Sequence, residues 1–509
     1  MTSLLAGESR MRGRLVRARG TPPTLANMST VRDWPMLIAG EWVTGPDQLT
    51  VSMPYDNSLA GTTTYASPDQ VEQAVAAAHA VRHEAANLPI FTRAEALMHI
   101  SRRLAERADE IAELITSENG KPLMWAKAEA GRAVSVFRWA AEHARQWSGE
   151  VMRLDTDAAA AGRMAYVKRV PKGAVLAISP FNFPLNLSAH KVAPAIAVGA
   201  PVILKPAPKT PLSSLLLAEL IAETDLPKGM VSVINVPNDQ AAALVADPRL
   251  PVISFTGSGP VGYAIQKQVP DKHVVLELGG NAAVVVCDDW SSETDLDWAA
   301  TRIANFANYQ AGQSCIGVQR VYVHDSLYDD LRGRIVSKVA ALKTGDPRDP
   351  ETFVGPVINV EAAERIEAWV NEAVAGGATL LTGGTRDGAN MAATVLEGVA
   401  ADAKVMCEEI FGPVLILAKV SSTDEAFAQV NDSRYGLQTG VFTHSLQTAF
   451  KAHSQLEVGG VVIGDAPSYR ADQMPYGGVK ESGVGREGLR YAMEDFTYER
   501  VMVLTGLEL

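Results

Sequence analysis

At Gly173 this chain changes rhythm, and that change limits its fold more than any other feature. Beyond it, short β-rich apolar runs at 174–179, 201–204, 231–236, 252–256 and 274–278 alternate with helical stretches at 186–199, 211–224 and 260–268. Strands joined through helices pair in parallel, and the sheet they form is covered by helices on both faces. A second alternation starts near Ala282 and runs to about Asp465, with strand candidates at 319–323, 413–420, 439–442 and 461–464. Successive α/β units of this kind predict an α/β protein of two domains with a cleft between them. Such sheets bind ligands beyond the carboxyl ends of their strands.

Upstream of Gly173 the signals are mostly helical. Ser67-Pro68-Asp69-Gln70 reads as a helix start, with Ser67 as N-cap, Pro68 in the first turn and Gln70 closing a capping box. Helical patterns cover 93–117 and 121–149, and 35–43 reads as one short strand. The stretch 498–505 reads as a lone strand. It needs a neighbour, because unpaired backbone groups are costly when buried.

Composition narrows the function. The formal net charge is -12, whereas phosphate backbones call for concentrated Lys and Arg, so neither nucleic acid nor an anionic membrane surface is expected as a partner. No apolar run reaches the roughly 18–20 residues of a membrane-crossing helix. The three cysteines, Cys287, Cys315 and Cys407, leave at least one thiol free and fit a reducing, cytoplasmic setting. The start is unlike the rest: Arg10, Arg12, Arg14, Arg17 and Arg19 stand against one acid, Glu8. Such a segment can be a targeting sequence, a disordered tail, or the product of an upstream start codon with Met28 opening the chain. The expectation is a tail without function, and residues 1–34 are expected to be a disordered or non-native extension.

Several residues could carry chemistry. Gly257-Ser258-Gly259-Pro260-Val261-Gly262 follows an apolar strand and opens a helix, the setting in which backbone N–H groups meet a phosphate; a plain strand-to-helix turn has the same pattern. Glu277 lies among apolar residues in Val275-Leu276-Glu277-Leu278-Gly279-Gly280. It reads as a ribose ligand, as a general base of raised pKa, or as a carboxylate satisfied by the N–H groups of the following glycines. Cys315 follows Gly312 and Ser314, small neighbours that leave room around a thiol. A lone Cys is otherwise a small core residue, which is the reading for Cys287 and Cys407. Asn182, in Pro180-Phe181-Asn182-Phe183-Pro184, is either an oxyanion donor or a turn residue.

In their order along the chain these stretches resemble the aldehyde dehydrogenase superfamily over about residues 34–505. Leu204-Lys205-Pro206, Glu408-Glu409-Ile410-Phe411-Gly412-Pro413 and Pro475-Tyr476-Gly477-Gly478-Val479-Lys480 complete the set. The resemblance implies oxidation of an aldehyde to an acid with NAD or NADP. It implies Cys315 as nucleophile, Glu277 as the base for thioester hydrolysis, and Asn182 with the Cys315 backbone N–H as the oxyanion hole. It implies cofactor contacts from Ser179, Phe181, Lys205, Thr256, Gly257, Ser258, Val261, Gly262, Leu278, Glu409 and Phe411, and no metal. Lys205 and Glu409 would hold the two riboses, Ser258 the pyrophosphate, and Phe411 would pack near the nicotinamide ribose. The implied architecture is a Rossmann-like cofactor-binding domain (35–148 and 171–276), a catalytic domain (277–480) and a small β oligomerisation arm (149–170 and 481–509). That arm would add strands to another subunit of a homodimer or homotetramer.

Departures from the family pattern sharpen the expectation. Many NAD-preferring members carry Glu three residues after the lysine matching Lys205; Pro208 stands here, followed by Lys209. The charge that would repel a 2′-phosphate is missing, so NADP is expected to be accepted. Succinate-semialdehyde members carry Arg where His190 stands, and a neutral His is a poorer carboxylate partner. The stretch 182–194 and the run 313–320 resemble more closely the lactaldehyde and non-phosphorylating glyceraldehyde-phosphate branch. The Glu277–Cys315 spacing is a few residues longer than usual, which puts a surface loop at 290–294. Two other functions are a nucleotide-free cysteine hydrolase or esterase and a non-catalytic protein of the same fold. The first would want a His beside Cys315, and none of the nine His lies within these motifs. Intact Cys315, Glu277 and Asn182 oppose the second.

Overall fold

The computed structural model describes residues 32–506. The Arg-rich start thus lies outside the described residues. Residues 32–34, expected within the extension, are packed on the domain: Arg32 pairs with Glu219, and the Trp34 N–H donates to the Thr62 carbonyl at 2.8 Å.

The first β/α alternation forms one eight-stranded sheet. Its order is Glu41–Val43, Met36–Ile38, Val231–Val233, Val202–Lys205, Val175–Ile178, Val252–Thr256, His273–Glu277, Gly483–Val484. The five central strands are parallel, and the outer neighbours on both sides pair antiparallel. Central strands are buried on both faces, which is why Val175–Ile178 and Val252–Thr256 read as near-continuous apolar runs. Strand order reverses between Val175–Ile178 and Val252–Thr256, and the segments after these two strands therefore diverge to opposite faces and leave a crevice. The second alternation forms a seven-stranded sheet in the order Thr379–Thr382, Thr394–Glu397, Val414–Val420, Arg320–His324, Ala283–Val286, Gln438–Phe442, Gly460–Ile463. Each sheet has its own apolar core.

Local structure departs from expectation where tertiary contacts intervene. The segment 35–43 is a hairpin, not one strand, because Ala39 and Gly40 take φ of 52° and 80°, as a tight two-residue turn requires. The helical pattern over 93–117 divides into Ile90–Glu106 and Ala108–Asn119 at Arg107, whose guanidinium reaches Glu110 and Glu219. The expected surface loop at 290–294 is exposed at residues 291–294, with Trp290 as its buried anchor. Trp290 is buried against Phe442 and His444, and Ser292 caps the helix Glu293–Asn308. Cys287 is buried as expected, but Cys407 is exposed at the end of the four-residue helix Lys404–Cys407. The Ser67 capping box forms as read from the sequence.

The terminal strand, Thr497–Thr505, finds its neighbour within the same chain. It pairs antiparallel with Arg163–Pro171, which also pairs with Glu150–Arg153. Val151, Met152, Tyr166, Val501, Met502 and Val503 of this small sheet are all exposed. Among the described residues, no helix is long and apolar enough to cross a membrane.

Candidate active site

Residues 278–282 carry the chain from the carboxyl end of the strand His273–Glu277 into the first strand of the second sheet, Ala283–Val286. The candidate site is built around this crossing. Glu277 ends the strand on one side. On the other, the loop before Arg320–His324 brings Cys315 alongside, so close that a side chain at Gly280 would sit 2.8 Å from the Cys315 carbonyl. That approach explains the glycine there.

Cys315 is half-buried beside Ile316, Leu437 and Tyr476, so its thiol is neither walled in nor free in solvent. Burial pushes the thiol pKa up to about 12. A hydrogen-bond contact of 3.0 Å with the Tyr476 hydroxyl and the charge of Arg470 act in the opposite direction. Glu277 is buried, and neither carboxylate oxygen has a hydrogen-bond partner among the described residues. The glycine N–H groups do not satisfy it: Gly280 N–H donates to Glu409 Oε1 at 2.9 Å instead. Burial raises the Glu277 pKa well above the usual carboxylate range, and the charge of Glu487 adds to this. Glu487 itself stays ionised between Lys191 at 2.9 Å and Arg470 at 3.0 Å.

Asn182 lies in the loop after Val175–Ile178. Its Nδ2 donates to the Gln313 carbonyl at 3.0 Å, which ties it to the Cys315 loop and leaves one amide hydrogen unused. Asn119 holds the same two loops, donating to the Phe181 carbonyl at 2.7 Å and accepting from Gln310 at 2.8 Å. Glu129 accepts from the N–H groups of Leu185 and Asn186 and pairs with the buried Lys121. A carboxylate buried this way is a strong anchor for the start of the following helix.

The expected cofactor residues fall in two groups around one cleft. Ser258 and Gly259 open the helix Gly259–Gln268 and, with Tyr263, Gly279, Glu408 and Glu409, line a cavity of about 630 Å³. Gly257 and Gly262 shape the turn, and Leu278 packs against Gly262. Val261 is exposed on the first turn of that helix. Phe181 and Phe411 meet edge to face at 5.9 Å. Lys205, at the end of its strand, donates to Asn238 Oδ1 at 2.9 Å and makes no ion pair among the described residues; burial lowers its pKa to about 8. Two side chains look away from this cavity: the Ser179 hydroxyl bonds Ser188, and the Thr256 hydroxyl lies 3.4 Å from Glu487. A contact from Ser179 to a cofactor would therefore come from its backbone.

These features fit a nicotinamide dinucleotide. The buried Glu409 carboxylate has one backbone donor and spare acceptor capacity, the N-terminus of the helix Gly259–Gln268 opens on the same cavity, and the buried Lys205 ammonium lacks an anionic partner among the described residues. Among the described residues no cluster of His, Cys, Asp and Glu could hold a metal ion. Motif reading assigns no role to Tyr476, Arg470, Glu487 or Lys191. The signal was a charge inside an apolar stretch, clearest at Lys191 in a helix that is buried throughout. His190, in the same helix, is fully enclosed between Asp472 and Arg470, and burial lowers its pKa to about 4. It has no exposed edge to offer a substrate, so this position supplies no partner for a distal carboxylate.

The sequence model of the aldehyde dehydrogenase family matches residues 42–502. A 3-sulfolactaldehyde dehydrogenase of Priestia aryabhattai is 40% identical over 481 residues, covering 94% of this chain and all of that one. Aldehyde dehydrogenase 21 from Physcomitrella patens, crystallised with the reaction product succinate, is 43% identical with a TM-score of 0.92, covering 94% of this chain and 99% of that one. The NADP-dependent glyceraldehyde-3-phosphate dehydrogenase of Bacillus halodurans C-125, complexed with NADP, is 34% identical with a TM-score of 0.89, covering 93% and 99%. This chain belongs to the aldehyde dehydrogenase family. It is an oxidoreductase that oxidises an aldehyde using NAD or NADP, and the nucleotide-free hydrolase is not favoured.

Proposed function

We propose that Cys315, Glu277 and Asn182 perform this oxidation through a thioester on Cys315. The observation that carries the reading is the half-buried Cys315 thiol lying across the interdomain crossing from a buried carboxylate with no partner. The Cys315 sulfur adds to the aldehyde carbon, and the free amide hydrogen of Asn182 and the Cys315 backbone N–H hold the resulting oxyanion. When bound, the nicotinamide dinucleotide supplies the hydride acceptor. Loss of hydride from the carbon leaves a thioester on Cys315. Glu277 then takes a proton from water as the water attacks, and the carboxylic acid leaves. A base of raised pKa suits this step, because a carboxylate whose pKa is raised above the usual range is a stronger proton acceptor.

The proposed domains are 35–148 and 171–276 for the dinucleotide and 277–480 for the nucleophile, with 149–170 and the strand Thr497–Thr505 as the arm; of the expected arm 481–509, Gly483–Val484 instead pairs at the edge of the first sheet. A nine-residue strand with one unpaired edge and apolar residues on display is a liability in a free monomer, which supports burial of the arm against another subunit of a homodimer or homotetramer. Absence of a bridged thiol among the three cysteines supports a reducing, cytoplasmic setting.

The three relatives are named for, or crystallised with, a sulfonate-, carboxylate- or phosphate-bearing compound. We infer a short aldehyde with an anionic group at its far end. Exposed Lys209 beside Pro208, with no acid at that turn, supports NADP as an acceptable cofactor. A panel of charged and neutral short aldehydes, assayed with NAD and NADP separately, tests both points. The expected result is higher kcat/KM for the anionic members and turnover with NADP. A preference for neutral aldehydes would overturn the substrate class, and a preference for NAD above about a thousandfold, some 4 kcal/mol, would overturn the cofactor reading.

A further inference from the structure

We propose that Tyr476 is a catalytic residue whose hydroxyl stabilises the Cys315 sulfur as a thiolate, both when it attacks and when it leaves. The inference rests on Cys315 being the nucleophile. Tyr476 Oη lies 3.0 Å from Cys315 Sγ, and this is its hydroxyl's sole hydrogen-bond contact among the described residues. A buried phenol keeps a partner at some cost in packing freedom; a phenylalanine would fill the same apolar corner beside Ile316 and Leu437 without one.

The ring is held so that it cannot turn away. Backbone hydrogen bonds run both ways between Tyr476 and Glu487, at 2.9 and 2.6 Å. The Arg470 guanidinium sits 3.9 Å above the ring centre and is itself anchored by Glu487 at 3.0 Å. The hydroxyl is thus aimed at one atom by a fixed frame.

The direction of the proton follows from the surroundings. Burial and the nearby Cys315 and Glu277 raise the Tyr476 pKa well above that of a free phenol, so Tyr476 keeps its proton. It can only donate to a thiolate. In the attack, the thiol gives its proton to solvent water, the C–S bond forms from the thiolate that the phenol O–H had stabilised, and the carbonyl π pair moves to the oxygen. In thioester hydrolysis the C–S bond breaks, the electron pair returns to sulfur, and the same O–H receives it as a hydrogen bond. Tyr476 neither gains nor loses a proton over the cycle. A hydrogen bond to an ionised acceptor is strong because the acceptor's charge is unshared.

The test is the pH dependence of Cys315 alkylation by iodoacetamide in Tyr476→Phe, with Cys315→Ala as the control. The expected result is a thiol pKa higher by about one unit, which lowers alkylation and kcat/KM near neutral pH about tenfold, with both recovering at high pH. A role in packing alone would leave the pH profile in place. Site-specific replacement of Tyr476 by a fluorinated tyrosine, which keeps the shape and sharpens the donor, should move the thiol pKa downward. Profiles that coincide with the parent in both variants would overturn the proposal while leaving Cys315 as nucleophile. Full turnover in Cys315→Ala would overturn the reading on which it rests.

Discussion

Replacing Glu277 by Gln keeps the volume and removes the charge. The other acidic and imidazole groups near Cys315 among the described residues are already engaged, Glu409 by the Gly280 N–H. His190 is locked between Asp472 and Arg470, and Glu487 is held ionised by Lys191 and Arg470. With no substitute, the loss should fall in the upper part of the range for a general base, roughly a thousandfold in steady-state kcat. Hydride transfer precedes the hydrolytic step, so rapid mixing should still show a burst of reduced cofactor close to one per active site. Acyl-enzyme on Cys315 should then accumulate and be visible by intact-protein mass spectrometry. Stability should move the other way. A carboxyl whose folded pKa is raised holds its proton in the folded chain while the unfolded chain releases it, so the parent loses stability as pH rises from the unfolded pKa through the raised folded one. The Gln variant lacks that slope and should be the more stable protein at neutral and alkaline pH. Full steady-state turnover in Glu277→Gln, or a lost burst with intact cofactor binding, would refute the reasoning.

Other outcomes follow from the same geometry. Asn182→Ala removes the free amide hydrogen and should lower the rate of hydride transfer by about 10²–10³, measured by stopped flow with cofactor affinity unchanged. In the parent, kcat should fall on the acid side as Glu277 takes up its proton, at a pH above the usual carboxylate range, and that limb should be absent from the residual rate of Glu277→Gln. Ser67→Ala removes the hydroxyl that accepts from the Gln70 N–H at 3.2 Å and should cost about 1 kcal/mol in denaturant unfolding. Val501→Glu with Val503→Glu charges the exposed strand and should yield smaller particles by light scattering; an unchanged mass would place the subunit contact elsewhere.

How much the sequence determined can be argued residue by residue. Short strand runs that are mostly apolar, such as Val175–Ile178 and Val252–Thr256, announced the central sheet because both of their faces are covered. Ser67 and Gln70 announced a helix start because a capping box needs contacts three residues apart and nothing more. Cys315, Glu277 and Asn182 stood out through local motifs. Tertiary structure decided what those motifs do to one another. The hairpin at Ala39-Gly40, the break at Arg107 and the burial of Trp290 all answer to partners far along the chain. So does the pairing of Thr497–Thr505 with a strand more than three hundred residues earlier in the same chain. The contact of Tyr476 with Cys315 spans 161 residues and joins two segments with no shared pattern. Periodicity and capping are short-range and survive in a linear reading, whereas the charge, burial and hydrogen bonding that set a thiol or carboxyl pKa exist only once distant segments have packed together.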